Sequence, residues 1–152
     1  MATNLKSLAK DTAIYGVSSI FGRFLNYLLV PLYTATLSAA SGGYGVITNL
    51  YAWTALLLVI LTYGMETTFF RFANKADEDA EKVYSTTLVS VGATALMFVA
   101  AVVGFLPSIS SALGYADHQS WVVSMAIIVA LDAFQAIPFA YLRYKKQPIK
   151  FA

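Results

Sequence analysis

Four long, largely apolar stretches follow one another in this chain, at residues 13–36, 46–65, 84–106 and 121–142. A helix crosses the ~30 Å hydrocarbon core of a bilayer with about 20 apolar residues, at a rise of ~1.5 Å each. Each stretch has that length. All four run too long for transmembrane β-strands and lack their strict alternation. Water offers such a chain little support: charged residues make up 12% and apolar residues 59%, with a mean hydropathy of +0.67. Soluble domains carry about 25% charged residues. The same hydrophobicity excludes disorder. The absence of cysteine excludes a disulfide scaffold, a cysteine zinc site and thiol catalysis. One histidine, His118, leaves no histidine cluster for a metal. The expectation is an all-α integral membrane protein with four transmembrane helices, forming a single membrane domain over residues 1–152.

The connections are short. Residues 37–45 carry Ser41, Gly42, Gly43 and Gly45, which is turn chemistry. Residues 66–83 hold eight of the eighteen charged residues, and residues 107–120 contain Pro107, Gly114, Asp117 and His118. Lys6 and Lys10 precede the first span; Arg71, Lys75 and Lys82 follow the second; Arg143, Lys145, Lys146 and Lys150 follow the fourth. The loops 37–45 and 107–120 have no Lys or Arg, so nine of the ten basic residues fall on one side. The positive-inside rule then predicts that both termini are cytoplasmic. The net charge of +2 follows from this asymmetry and calls for no nucleic-acid partner. The first stretch exceeds the ~7–15 residues of a signal-peptide core and contains Arg23 and Asn26, so it reads as a retained span. Tyr15, Tyr33, Tyr51, Tyr84, Trp121, Tyr141 and Tyr144 lie near span ends, where aromatic residues anchor to the interface.

Only two ionisable residues sit deep within spans. Arg23 lies roughly ten residues, or ~15 Å, into the first, and Asp132 a similar distance into the fourth. Burying either costs about 2.5–3.5 kcal/mol even on insertion scales. Two readings stay open. Arg23 faces a hydrated cavity and binds an anion such as a phosphate, which its planar fork suits, or it pairs permanently with Asp132. A third, less favoured reading makes Asp132 a coupling site for a proton or cation. Asn26 and Gln135 follow the two charges by three residues and share their helix faces; ordinary interhelical hydrogen bonding explains each amide equally well. Pro31 and Pro138 lie inside the first and fourth spans and act as static kinks or as hinges. Glu66 and Arg71 bracket the cytoplasmic end of the second span, as interfacial anchors, a local ion pair or a cytoplasmic gate. Ser18–Gly22 and Ala100–Gly104 fit the small-xxx-small spacing of packed membrane helices. The acidic run Asp77, Glu78, Asp79 and Glu81 suits a solvated loop or the N-terminal end of the third span. There is no P-loop, no nucleophilic triad and no carboxylate pair, so neither ATP hydrolysis nor another enzymatic reaction is expected, and no cofactor or metal.

Five runs carry a resemblance: LKSLAKDTAIYG at 5–16, FGRFLNYLLVPLY at 21–33, YGMETTFFRF at 63–72, DAFQAIPFAYLR at 132–143 and KKQPIKFA at 145–152. In this order and spacing they resemble the N-terminal region of bacterial oligosaccharide flippases, the polysaccharide-biosynthesis branch of the MATE-like exporter superfamily, in a Bacteroidetes-like wording. The resemblance implies a carrier of undecaprenyl-diphosphate-linked sugars in the bacterial inner membrane. It also implies about 12–14 helices in two lobes around a basic cavity, working by alternating access. Arg23 in the Gly22-Arg23-x-x-Asn26 run matches a first-helix arginine of that type, which favours the cavity reading. Four spans would be the first third of such a transporter, so an N-terminal fragment is expected, whose partners are the remaining helices, membrane lipid, the lipid-linked glycan and the polysaccharide assembly machinery. Two other classes fit the bare pattern. One is a self-contained four-span exporter acting as an oligomer, with Asp132 as its membrane carboxylate. The other is an assembly subunit without a transport site.

The orientation is directly testable because the chain has no native cysteine. Asp117→Cys should react with a membrane-impermeant maleimide added outside the cytoplasmic membrane, and Lys75→Cys only after permeabilisation. The reverse pattern would invert the topology.

Overall fold

The computed structural model describes residues 5–37 and 43–151, and every regular element among them is helical. In chain order these are α1 (Leu5–Thr36), α2 (Gly43–Thr62), α3 (Met65–Ala73), α4 (Ala80–Gly104), α5 (Leu106–Ala112), a 3-10 turn (Ala116–His118), α6 (Gln119–Tyr144) and α7 (Pro148–Phe151). Three stretches among the described residues are long and apolar enough to cross a membrane: Gly43–Ala73, Ala80–Gly104 and Ala116–Tyr144. The first expected span lies on α1. The turn at Ser41 and Gly42 lies outside the described residues.

Element boundaries follow local chemistry. The second expected span, 46–65, ends three residues early as a regular helix. Tyr63 and Gly64 adopt positive φ values of 31° and 72° and separate α2 from α3. Glycine tolerates that conformation because it has no Cβ. The third span begins earlier than the expected residue 84. The Asp79 carboxylate accepts the Glu81 backbone N–H at 2.9 Å, an N-cap that starts α4 at Ala80. Its end moves from 106 to 104, because Pro107 sits in the first turn of a new helix, α5. The connection expected over 107–120 is therefore mostly α5 and the 3-10 turn. Pro31 and Pro138 both lie inside continuous helices.

The described residues fall into two compact units, residues 1–49 with 142–152 and residues 50–141. In the first, α7 packs against α1, and Tyr33 stacks on Tyr44 with ring centroids 6.3 Å apart. The second unit centres on α6. Its buried positions Val122, Met125, Ala126, Val129, Ala130, Ala133, Ile137 and Ala140 recur at helical spacing. Four are alanines, which let backbones approach closely where hydrocarbon supplies no hydrophobic drive between helices. Val91 and Ala95 of α4 and Leu61 of α2 complete this core. Val102, Val122 and Ala126 form a second cluster, against Ile109 of α5 and Leu113. Gly92 marks the tightest approach: a Cβ there would lie 3.3 Å from the Phe134 ring.

Exposure runs opposite to that of a soluble fold. Leu96 and Met97 of α4 are 74% and 67% exposed, and Val59, Ile60, Ile128 and Leu131 also face outward. Their medium is lipid. Three hydroxyls in α2 and α4 are satisfied locally: Thr62 donates to the Leu58 carbonyl at 2.8 Å, Thr87 to Val83 at 2.7 Å and Ser90 to Thr86 at 2.8 Å.

This inversion predicts unequal truncation costs. Phe69→Ala, at a fully buried position, should destabilise the protein by about 3 kcal/mol. Leu96→Ala, on the outer face, should cost under about 1 kcal/mol. Unfolding titrations from mild into denaturing detergent would measure both, and equal costs would contradict the assignment of faces.

Candidate functional site

Helix α6 carries both the buried stripe and the polar residues expected at mid-span. Gln135 Nε2 donates to Asp132 Oδ1 at 3.0 Å along the helix. Asp132 is half-buried and Gln135 exposed. The three-residue spacing brings the pair together on one face, as the sequence implied. The Gln135 amide thereby supplies a donor to a carboxyl oxygen on an otherwise apolar helix.

Asn26 is exposed on α1. It is presented outward, away from any packed interface within its own unit. Arg23 lies one turn before it on the same helix, and its side chain lies outside the described residues. Asn26 and Asp132 belong to different units of the fold.

Glu66 and Arg71 both sit on α3, in its first and last turns. Acid at the start and base at the end each complement the helix dipole. Five residues of helix separate them by about 140° around the axis, so α3 presents them on different faces. Asn74 closes the helix, its Nδ2 donating to the Phe70 carbonyl at 2.7 Å. Lys75 Nζ then lies 4.3 Å from the centroid of the Phe72 ring.

Three features escaped the sequence reading. The first is an aromatic cluster at the α3 end of the second unit. Phe69 is fully buried, with the Tyr84 and Tyr141 rings 6.4 and 6.2 Å away, and those two tyrosines lie 4.3 Å from each other. It locks α3 onto α4 and α6. Tyr84 and Tyr141 were legible as interfacial residues, but not their meeting around Phe69. The second lies at the opposite end of α6, where His118 stacks on Trp121 at 4.0 Å and 7° and Tyr115 leans against the same indole at 6.0 Å. The third is an apolar groove of about 290 Å³ between α4 and α6, lined by Gly92, Ala95, Leu96, Val99, Ala130, Leu131 and Phe134. The small residues at 92, 95 and 130 open it. Its walls suit a hydrocarbon chain, while the Asp132–Gln135 pair offers polar chemistry on the same helix. No group of three His, Cys, Asp or Glu residues among the described residues is placed to hold a metal ion.

Comparison with known proteins gives one match. The family model described as "Polysaccharide biosynthesis protein" covers residues 8–146. No curated protein and no solved structure matched the chain.

The hydrogen bond on α6 generates a paired expectation. Gln135→Leu should destabilise the protein by about 1–2 kcal/mol by leaving the carboxylate short of a donor. The double variant Asp132→Leu/Gln135→Leu should recover most of that loss. A double-mutant cycle in detergent unfolding would check it, and additive losses would contradict the coupling.

Proposed function

This chain belongs to the polysaccharide biosynthesis protein family, and on that footing we propose that it forms part of a flippase for undecaprenyl-diphosphate-linked sugars in the bacterial inner membrane. The family match over residues 8–146 is the observation that carries the reading. Three apolar membrane-length helices accord with it.

A lipid-linked oligosaccharide poses three separate physical demands. Its polyprenyl chain is at home in the bilayer, its sugars need a wet route, and its diphosphate is the costliest group to move through a low dielectric. Arg23 answers the last demand. A guanidinium stays charged at any physiological pH and meets phosphate oxygens with two parallel N–H donors. Asn26, one turn along and exposed, adds an amide for a phosphate oxygen or a sugar hydroxyl. Asp132 and Gln135 form the coupling element on α6, where protonation or cation binding at the carboxylate would alter its bond to Gln135.

Transport proceeds by alternating access. The lobes of the complete carrier, to which this chain contributes with both termini cytoplasmic, rock around the diphosphate site. Pro31 and Pro138 each remove one backbone hydrogen bond from a long helix and give α1 and α6 points of bending. Glu66 and Arg71, at the two ends of α3, lie by the cytoplasmic entrance as gate residues. No phosphate-binding loop for ATP is present in the sequence, so the energy comes from an ion or substrate gradient, the membrane potential or other proteins. The protein is a carrier rather than an enzyme, and its partners are the lipid-linked glycan and the polysaccharide assembly machinery.

Substitution at position 23 in the complete transporter separates this reading from its rivals. Arg23→Ala should abolish polysaccharide export, and Arg23→Lys should retain part of it, since an ammonium keeps the charge without the fork. Surface polysaccharide, measured in a strain whose own copy is deleted, is the readout. Normal export by Arg23→Ala would overturn the anion site.

A further inference from the structure

The end of α6 and the short α7 carry the densest positive charge in the chain. Arg143, Lys145, Lys146 and Lys150 fall within eight residues, and no acidic residue interrupts the run to the end of the sequence. The three lysines are exposed, while Arg143 is half-buried.

Helix ends often recruit basic residues simply to satisfy their last carbonyls. Here the backbone already supplies donors to two of those carbonyls. Lys146 N–H donates to the Arg143 carbonyl at 3.1 Å, and Gln147 N–H donates to the Leu142 carbonyl at 3.0 Å. This pair of bonds is the Schellman closure, which places one residue in the left-handed region. That residue is Lys146, with φ 53°. Glycine fits this position best, yet the chain keeps a lysine there.

The neighbouring apolar residue completes the pattern. Ile149 is 81% exposed, more than any other large hydrophobic residue among the described ones, and it lies between Lys146 and Lys150 in the chain. Ile149 and Lys150 sit on α7, which packs against α1, and Lys145 and Lys146 lie in the closed turn that leads into it. Ammonium groups around one protruding apolar side chain match the boundary between phosphate headgroups and acyl chains.

We propose that Lys145, Lys146, Lys150 and Ile149 form a docking surface for anionic phospholipid headgroups of the cytoplasmic leaflet. The lysines engage the phosphates, and Ile149 enters the acyl boundary beneath them. The surface rests on membrane embedding and not on the transported substrate, so it stands or falls separately from the diphosphate site at Arg23.

The test uses the full chain, purified from vesicles of equal phosphatidylglycerol and phosphatidylcholine through mild detergent, with each retained lipid counted per protein by native mass spectrometry. The wild type should retain phosphatidylglycerol preferentially. Each lysine neutralised should lower that preference about five-fold, and salt should weaken it. The triple variant Lys145→Gln/Lys146→Gln/Lys150→Gln should lose the preference, and the triple arginine variant should keep it, with helix content by circular dichroism unchanged in both. Ile149→Gln should lower retention without removing the preference. An unchanged lipid ratio in the triple glutamine variant would overturn the proposal. So would complete displacement of the lipid by millimolar inorganic pyrophosphate, which would mark a general anion site. Retention found only in a dimeric species would assign the surface to a second copy and overturn it equally.

Discussion

A peptide group that leaves water for hydrocarbon has only other protein groups to bond with, and each one left unsatisfied costs several kcal/mol. The architecture of this chain follows from that constraint. Long helices close their own backbone bonds, and the hydroxyls of Thr62, Thr87 and Ser90 turn back to carbonyls a turn away. Leu96 and Met97 face outward, whereas alanines and Gly92 line the contacts between helices. Packing in such a medium comes from close fit, since burying another leucine gains little over leaving it in lipid.

Against this background polar residues within spans stand out, and those on this chain are dealt with in different ways. Asp132 receives its donor from one turn along its own helix, so α6 carries its polar group as a unit and needs no particular neighbour to do so. Such a carboxylate can change partners as helices move. Asn26 is presented outward on α1, where a solute or another helix can meet it. The chain that carries them belongs to the polysaccharide biosynthesis protein family.

Helical class, three membrane-length apolar stretches among the described residues and the shared helix face of Asp132 and Gln135 were legible because they depend on hydropathy and on spacing within single helices. Gly64 and Asp79 were visible as residues, but their effects on helix boundaries depend on backbone conformation and on one capping bond. The α3 and α5 segments were harder still. Both are short, and both hold their place through tertiary contacts: Phe69 among Tyr84 and Tyr141, and Ile109 against the Val102 and Val122 cluster. Whether Arg23 meets Asp132 is a matter of distance between helices, which spacing along one helix does not encode.

The left-handed pair Tyr63 and Gly64 has a mechanical meaning. A continuous helix behaves as a stiff rod, and a push or twist at one end arrives at the other. The pair interrupts the rod between α2 and α3, while Phe69 clamps α3 to α4 and α6. Motion of α4 and α6 therefore carries α3 with it, and reaches α2 both across this swivel and through Leu61 in the shared core. The joint lets α3 take a tilt different from that of α2, while the shared core holds both to the same neighbours.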